Sequence, residues 1–237
     1  GEETGVLESI EGKAGQPRMK PPFPAVVGLF GCPTIVNNVE SMASVPHICE
    51  MGGDAFAALG SDRNGGTKLC GLSGHVKKPG LYELPMGFNL KEFIYDIGGG
   101  TLDDRPLKAV IPGGVSCPVL LPDELDVAMD FDSMMKAGTM LGTGCVTVIC
   151  EPTSMVEIMH RISRFFAHES CGQCTPCREG TGWMDRLVRG FRDGTAHVED
   201  IDILADAASH ITGHTVCALG DAASWPVQSI VKKFRGE

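Results

Sequence analysis

Glu169-Ser170-Cys171-Gly172-Gln173-Cys174-Thr175-Pro176-Cys177-Arg178 carries three cysteines at a two-residue pitch, and a fourth, Cys217, follows far downstream. Each gap makes a turn, so the run wraps one face of a polynuclear centre and the distant thiolate closes the other. A cubane [4Fe–4S] cluster asks for one thiolate per iron. Gly172 lets the backbone come close, and Pro176 stiffens the loop. Structural zinc is the rival. It usually takes two separate Cys-x-x-Cys pairs or mixes Cys with His, and His168 and His214 are close enough in sequence to compete. Three evenly spaced cysteines crowd one tetrahedral ion, so the spacing favours the cluster. Redox or disulfide cysteines are a third reading. Arg178 either offsets the charge of a four-thiolate centre or sits on a solvated helix face.

The sequence around this loop is helical. Ser154-Met155-Val156-Glu157 reads as a capping box. Behind it Met155, Ile158, Met159, Ile162, Phe165 and Phe166 form an apolar stripe. Trp183, Met184, Leu187, Val188 and Phe191 form a second, Ile201, Leu204, Ala205, Ala208 and Ile211 a third, and Trp225, Val227, Ile230, Val231 and Phe234 a fourth. Four amphipathic helices with short connections predict a bundle over 151–237. The three-cysteine loop and Cys217 then both fall on connections that an up-down bundle brings to one end.

Upstream, residues 67–150 predict a small mixed sheet carrying one helix. Lys68–Val76, Gly80–Leu84, Lys108–Ile111 and Cys145–Cys150 read as strands, and Asn89–Ile97 has helical spacing ended by Gly98-Gly99-Gly100. Residues 1–66 are rich in Gly and Pro. Lys20-Pro21-Pro22-Phe23-Pro24 is an extended surface segment, Asn37 and Asn38 precede a helix, and Asp54–Leu59 is another short one.

In the first segment Glu2 and Glu3 beside Gly1 suit hydrogen bonding to sugar hydroxyls or acid–base work, or form a solvated acidic turn. Lys20 and Phe23 offer a phosphate contact and a stacking face, or belong to an ordinary loop. Asn37 and Asn38 bind polar groups of a cofactor or merely cap the helix. His75, His160 and His210 fall on strand or helix positions that suit structural roles. No Gly-x-Gly-x-x-Gly follows a strand, and there is no Walker lysine.

Composition narrows the classes further. The chain has 237 residues, 43% of them hydrophobic, and a formal net charge of −10, which argues against broad binding to nucleic acid or anionic lipid. No apolar run approaches the length of a membrane span. Six of the ten cysteines (Cys32, Cys49, Cys70, Cys117, Cys145 and Cys150) are scattered in apolar contexts and read as small buried hydrophobes, as in a reducing compartment. The chain opens on Gly1 without signal or transit character and reads as part of a longer protein.

The cysteine loop resembles that of the NADH-oxidising flavoprotein subunit of respiratory complex I. Gly1-Glu2-Glu3-Thr4, Pro21-Pro22-Phe23-Pro24, Asn37-Asn38-Val39-Glu40 and Cys217-Ala218-Leu219-Gly220-Asp221 are similar to further motifs of that family, in family order. Ser73-Gly74-His75-Val76 through Gly80-Leu81-Tyr82-Glu83 is similar to its soluble-ligand-binding β-grasp domain. The resemblance implies an α+β chain: the end of an FMN/NADH-binding α/β domain over 1–66, a β-grasp-like domain over 67–150, and a four-helix iron–sulfur domain over 151–237. It implies hydride transfer from NADH to FMN and then single electrons to a [4Fe–4S] cluster on Cys171, Cys174, Cys177 and Cys217. By carry-over Glu2 and Glu3 lie near flavin and nicotinamide, Phe23 stacks on the adenine with Lys20 nearby, and Asn37 and Asn38 hold the ribityl-phosphate side. Ala218 and Leu219 lie between cluster and flavin.

The family's glycine-rich flavin loop would lie upstream of Gly1, leaving half a flavin pocket here, and Gly5 stands where the family more often has Ala. Implied partners are other subunits of the complex I peripheral arm, among them a small [2Fe–2S] thioredoxin-like subunit and a large multi-cluster subunit. The implied place is the cytoplasmic face of the inner membrane, or the matrix side in mitochondria. NAD-reducing hydrogenases and NAD-dependent formate dehydrogenases carry similar motifs and are alternatives. So is a structural electron-relay module without catalysis of its own.

Overall fold

Val146, Val148 and Cys150 point to one side of their strand and Ile149 to the other, and each side meets a different hydrophobic core. That alternation follows from the two-residue period of a strand. It places one sheet at the centre of the chain, seen here in a computed structural model that describes residues 1–237.

The chain starts with α1 (Glu3–Ile10), α2 (Val39–Met51) and α3 (Gly53–Ala57). Two strands follow, β1 (Thr67–Gly74) and β2 (Gly80–Pro85). A short helix, α4 (Leu90–Glu92), runs on into a π-helical turn over Phe93–Ile97. Then come β3 (Leu107–Ile111), α5 (Phe131–Lys136) and β4 (Cys145–Cys150), and finally α6 (Met155–Glu169), α7 (Thr175–Arg192), α8 (Asp200–Ile211) and α9 (Leu219–Lys233). The sheet order is β2-β1-β4-β3. β1 pairs antiparallel with β2 and parallel with β4, and β3 pairs antiparallel with β4 across a bulge between Leu107 and Ala109. The parallel β1–β4 pair needs a long crossover, which residues 75–144 supply. Gly74 ends β1 at φ +81, where a Cβ would run into the Val148 backbone.

One face of the sheet (Cys70, Leu72, Val110, Val146, Val148) packs with Leu90, Phe93 and Ile94 of the α4 turn and with Met134 of α5. The other face gives Ala109, Ile111 and Ile149 to a core shared with Met155 and Ile162 of α6, Met184 and Val188 of α7, Leu204 and Ala208 of α8, and Val227 and Ile230 of α9. Polar ties reinforce this junction. Ser229 Oγ accepts a hydrogen bond from Val119 N at 3.0 Å, and Lys233 Nζ donates to Val119 O at 2.8 Å. Glu237 pairs with Lys108 and accepts from Met155 N at the start of α6.

The mixed sheet and the four late helices match the expected pattern, and several details differ. Glu2 and Glu3 open a helix: Glu2 caps α1 by accepting from Gly5 N at 2.8 Å. Ser154 makes only half a capping box, because Glu157 turns away to pair with Arg161 at 3.1 Å. Trp183 and Trp225 are 52% and 36% exposed. At 100° per residue Trp225 sits about 160° round the helix from Val227, and Trp183 about 100° from Met184, so neither belongs at the centre of its stripe. Phe165 is likewise half exposed at the edge of its own. Cys32, Cys49 and Cys145 are exposed, whereas Cys70, Cys117 and Cys150 are buried as expected; burial pushes the Cys70 and Cys117 thiols up to about 11.

Helix α2 buries none of its residues, and Glu40 ties it to the sheet. The Glu40 carboxylate accepts from Leu69 N at 2.8 Å and pairs with Lys68 at 3.1 Å. Burial opposes its charge, but those two partners hold its pKa below the ordinary 4.5. A depressed folded pKa contributes stability that is complete above the unfolded value and is lost as pH falls through the folded one. Thermal unfolding of Glu40→Gln should therefore depend less steeply on pH below 4.5 than that of the parent chain, with a loss near neutrality of up to about 1 kcal/mol for this half-exposed pair. Parallel pH profiles would show that the tie contributes nothing.

Candidate functional site

Three of the four clustered cysteines lie at or beside helix N-termini. Cys174 is the N-cap of α7 and Cys177 lies in its first turn, so Cys177 belongs to the helix and not to the connecting loop. Cys217 directly precedes Ala218, the N-cap of α9. Neither helix has a side-chain cap. Their first-turn amides and positive dipole ends are thus left without a side-chain partner and can face an anionic group. Pro176 occupies a first-turn position whose N–H would have lacked an intrahelical partner anyway.

Side chains around the four cysteines hold the loops in place. Gly172 takes φ +76. Arg178 Nη1 donates to Gly172 O at 3.0 Å and its Nε to Glu179 at 3.0 Å, so this guanidinium braces the loop from outside. Gln16 Nε2 donates to Cys171 O at 3.3 Å, joining the first segment to the cysteine loop. Thr215 Oγ1 donates to Cys217 O at 2.8 Å, and Asp221 accepts from Gly213 N at 2.7 Å. Ser170 Oγ lies 3.2 Å from Cys177 Sγ.

All four cysteines line a single cleft of about 1290 Å³. Cys171 is exposed, Cys174 and Cys217 are half-buried, and Cys177 is buried. Burial pushes the Cys177 thiol up, and its contact with Ser170 acts the other way. No three His, Cys, Asp or Glu side chains converge closely enough to hold one metal ion. A tetrahedral zinc would draw its sulfurs to about 4 Å of each other. A cubane spreads them, because each thiolate binds its own corner. The donor set is all sulfur. His168 pairs with Glu169, His214 contacts Thr212 O, and neither lines the cleft. These residues fit a [4Fe–4S] cluster better than a single ion.

Glu2, Glu3 and Lys20 line the same cleft. Lys20 Nζ sits 3.3 Å from Glu2 and 2.5 Å from Glu3. Burial works against the Glu2 charge but is outweighed by hydrogen bonds from Thr4, Gly5 N and Lys20, which hold its pKa low; Lys20 does the same for Glu3. Glu3 in turn raises Lys20. Ala218 and Leu219 line the cleft immediately after Cys217. Phe23, Asn37 and Asn38 lie outside it. Phe23 and Asn37 are exposed, and Asn38 Oδ1 accepts from Glu40 N at 2.9 Å as the cap of α2.

One further part of the lining was not legible in the sequence. Gly114, Val115 and Ser116 after β3, with Thr143 before β4, bring the sheet to the cleft. The Gly113-Gly114 doublet was the available signal, but a glycine pair after a strand marks any turn. His75 accepts from Cys150 N through Nδ1 at 3.0 Å, and burial lowers its pKa, as suits a structural role.

Comparison with known proteins adds to this geometry. Residues 157–237 match a family model described as the NADH-ubiquinone oxidoreductase-F iron-sulfur binding region, and 68–148 match an SLBB domain. Over its whole length the chain is 53% identical to the NADH-quinone oxidoreductase F subunit numbered 2 of Rhizobium meliloti (strain 1021). The chain belongs to the F-subunit family of NADH-quinone oxidoreductases. The F subunit of Rhodobacter capsulatus is 52% identical over 240 residues. This family member spans about half the length of the curated relatives it matches, 56% in both cases. Among solved structures it is similar to an NAD+-reducing [NiFe]-hydrogenase in the air-oxidized state, with a TM-score of 0.90 and 36% identity, covering 99% of this chain and 40% of that one.

Proposed function

We propose that this chain is the cluster-bearing part of an NADH-oxidising electron-input subunit, with Cys171, Cys174, Cys177 and Cys217 holding a [4Fe–4S] cluster. One observation carries the reading: the four cysteines and the Glu2–Glu3–Lys20 triad line one cleft. In this reading FMN supplies the exchange between hydride and single-electron chemistry, and the cluster supplies single-electron transport.

The protein's own groups place and tune these cofactors. The uncapped ends of α7 and α9 offset thiolate charge. Glu2 and Glu3, kept ionised by Lys20, accept hydrogen bonds from the flavin and nicotinamide side. Phe23 offers its exposed ring to adenine. Asn37 offers its amide to the ribityl-phosphate side, and Asn38, its oxygen engaged at α2, offers its amide nitrogen as a donor. Ala218 and Leu219 put small and apolar side chains directly beside a cluster ligand, which keeps the path toward the flavin short and dry.

The domain division proposed is 1–66 for the end of the FMN/NADH-binding domain, 67–150 for a β-grasp-like domain and 151–237 for a four-helix bundle. The partners proposed are peripheral-arm subunits carrying [2Fe–2S] and multiple clusters, on the cytoplasmic or matrix face of the membrane. No helix is long and apolar enough to cross a membrane. The hydrogenase likeness supports a second reading, the diaphorase part of an NAD-reducing hydrogenase. The higher identity to the oxidoreductase F subunits, 53% against 36%, favours the first.

The test is a titration of the reconstituted chain with NADH in the presence of FMN, followed by EPR and ferricyanide reduction. The electron-input reading expects an NADH-dependent cluster signal. A signal seen with dithionite and never with NADH would reduce the chain to an electron relay.

A further inference from the structure

Of the four ligand sulfurs, only Cys177 Sγ has a side-chain hydrogen-bond partner, the Ser170 hydroxyl at 3.2 Å. The direction of that bond follows from its surroundings. Ser170 Oγ also lies 3.4 Å from Gly172 N, a backbone donor. With Gly172 donating to the oxygen, the hydroxyl proton is free to point elsewhere. A thiolate that ligates iron has no proton to give and only accepts. Ser170 is therefore the donor and Cys177 Sγ the acceptor.

This contact falls on the ligand where it matters most. Cys177 is 6% exposed, the least hydrated of the four. Water can solvate Cys171 at the surface but scarcely reaches Cys177. A hydroxyl proton facing the sulfur replaces the missing solvation. Cluster reduction adds negative charge that spreads onto the sulfurs, and a donor aimed at sulfur stabilises the more negative state. Ser170 is held in place for this task. It is the C-cap of α6, where its own N–H donates to Phe166 O at 3.0 Å, and it lies in the wall of the cleft.

We infer that Ser170 is a positioning residue that raises the reduction potential of the cluster through its hydrogen bond to Cys177. This deepens the proposed function and rests on its cluster assignment.

The test compares the parent chain with Ser170→Ala and Ser170→Thr. Each is reconstituted anaerobically, assayed for iron and sulfide, and titrated redox-potentiometrically by EPR. Ser170→Ala should keep its iron and sulfide and become harder to reduce, its reduction equilibrium constant falling about tenfold, which is about 59 mV for a one-electron couple. Ser170→Thr restores a hydroxyl and should titrate with the parent. A fully loaded Ser170→Ala chain that titrates with the parent overturns the inference and leaves the cluster assignment intact. So does Ser170→Thr titrating with Ser170→Ala. Loss of iron from Ser170→Ala alone also overturns it, making the serine an assembly residue. A parent chain that binds no iron removes the cluster assignment and this inference with it.

Discussion

Cys217→Ser should abolish the dithionite-reduced cluster signal and lower iron content by at least about a quarter, because it removes one proposed ligand of a four-iron centre. Cys171 and Cys174 lie on the connection between α6 and α7 and Cys177 in the first turn of α7, whereas Cys217 alone comes from the connection between α8 and α9. Removing it opens the centre on the side that joins one helix pair to the other. The substitution should also erase a stabilisation. A centre bound only by the folded chain raises its stability by mass action, so the parent should melt at a higher temperature with iron and sulfide than without. Cys217→Ser should melt at nearly the same temperature in both conditions. Unchanged iron, sulfide and EPR signal in Cys217→Ser would show that the fourth ligand lies elsewhere.

Ile149→Ala should cost about 2–5 kcal/mol, the range for truncating a fully packed aliphatic side chain, and lower the melting temperature by on the order of 10 °C. Ile149 is the β4 residue whose side chain leaves the strand toward the helices. Its effect should therefore spread in both directions. The chain's two tryptophans, Trp183 and Trp225, sit on α7 and α9, so fluorescence reports the helical part. Hydrogen exchange at the β1 amides reports the sheet. In Ile149→Ala both signals should shift together to lower urea concentration. If the tryptophans shift and β1 does not, the two parts unfold independently and the shared core does not couple them.

Pattern and composition reveal much of this architecture. Strands with a period of two and helices with a stripe every three or four residues are properties of local sequence, so β1 to β4 and α6 to α9 were legible. The sharing of one sheet between two cores was not. The two-residue period puts Ile149 on the other side of β4 from Val148 and Cys150, but nothing local says that each side meets a core of its own. Helix α1 was hidden because Glu2 is an uncommon N-cap and Gly5 weakens the helical pattern.

The candidate site divides in the same way. The cysteine spacing singles out four residues, and the structure lines one cleft with them. Ser170 and Gln16 act through geometry that a sequence does not display, one across a helix boundary and the other across 155 positions of chain. Phe23, Asn37 and Asn38 stand out in the sequence as much as Lys20 does, yet only Lys20 lines the cleft. Proline-rich and turn-rich sequence fixes local conformation without fixing direction.

The most direct measurement is elemental analysis of the anaerobically reconstituted chain, read beside its EPR spectrum. About four irons and about four sulfides per chain are expected, with no stoichiometric zinc and a paramagnetic signal that appears on reduction by dithionite. One zinc per chain, with neither sulfide nor a reducible centre, would contradict the cluster assignment.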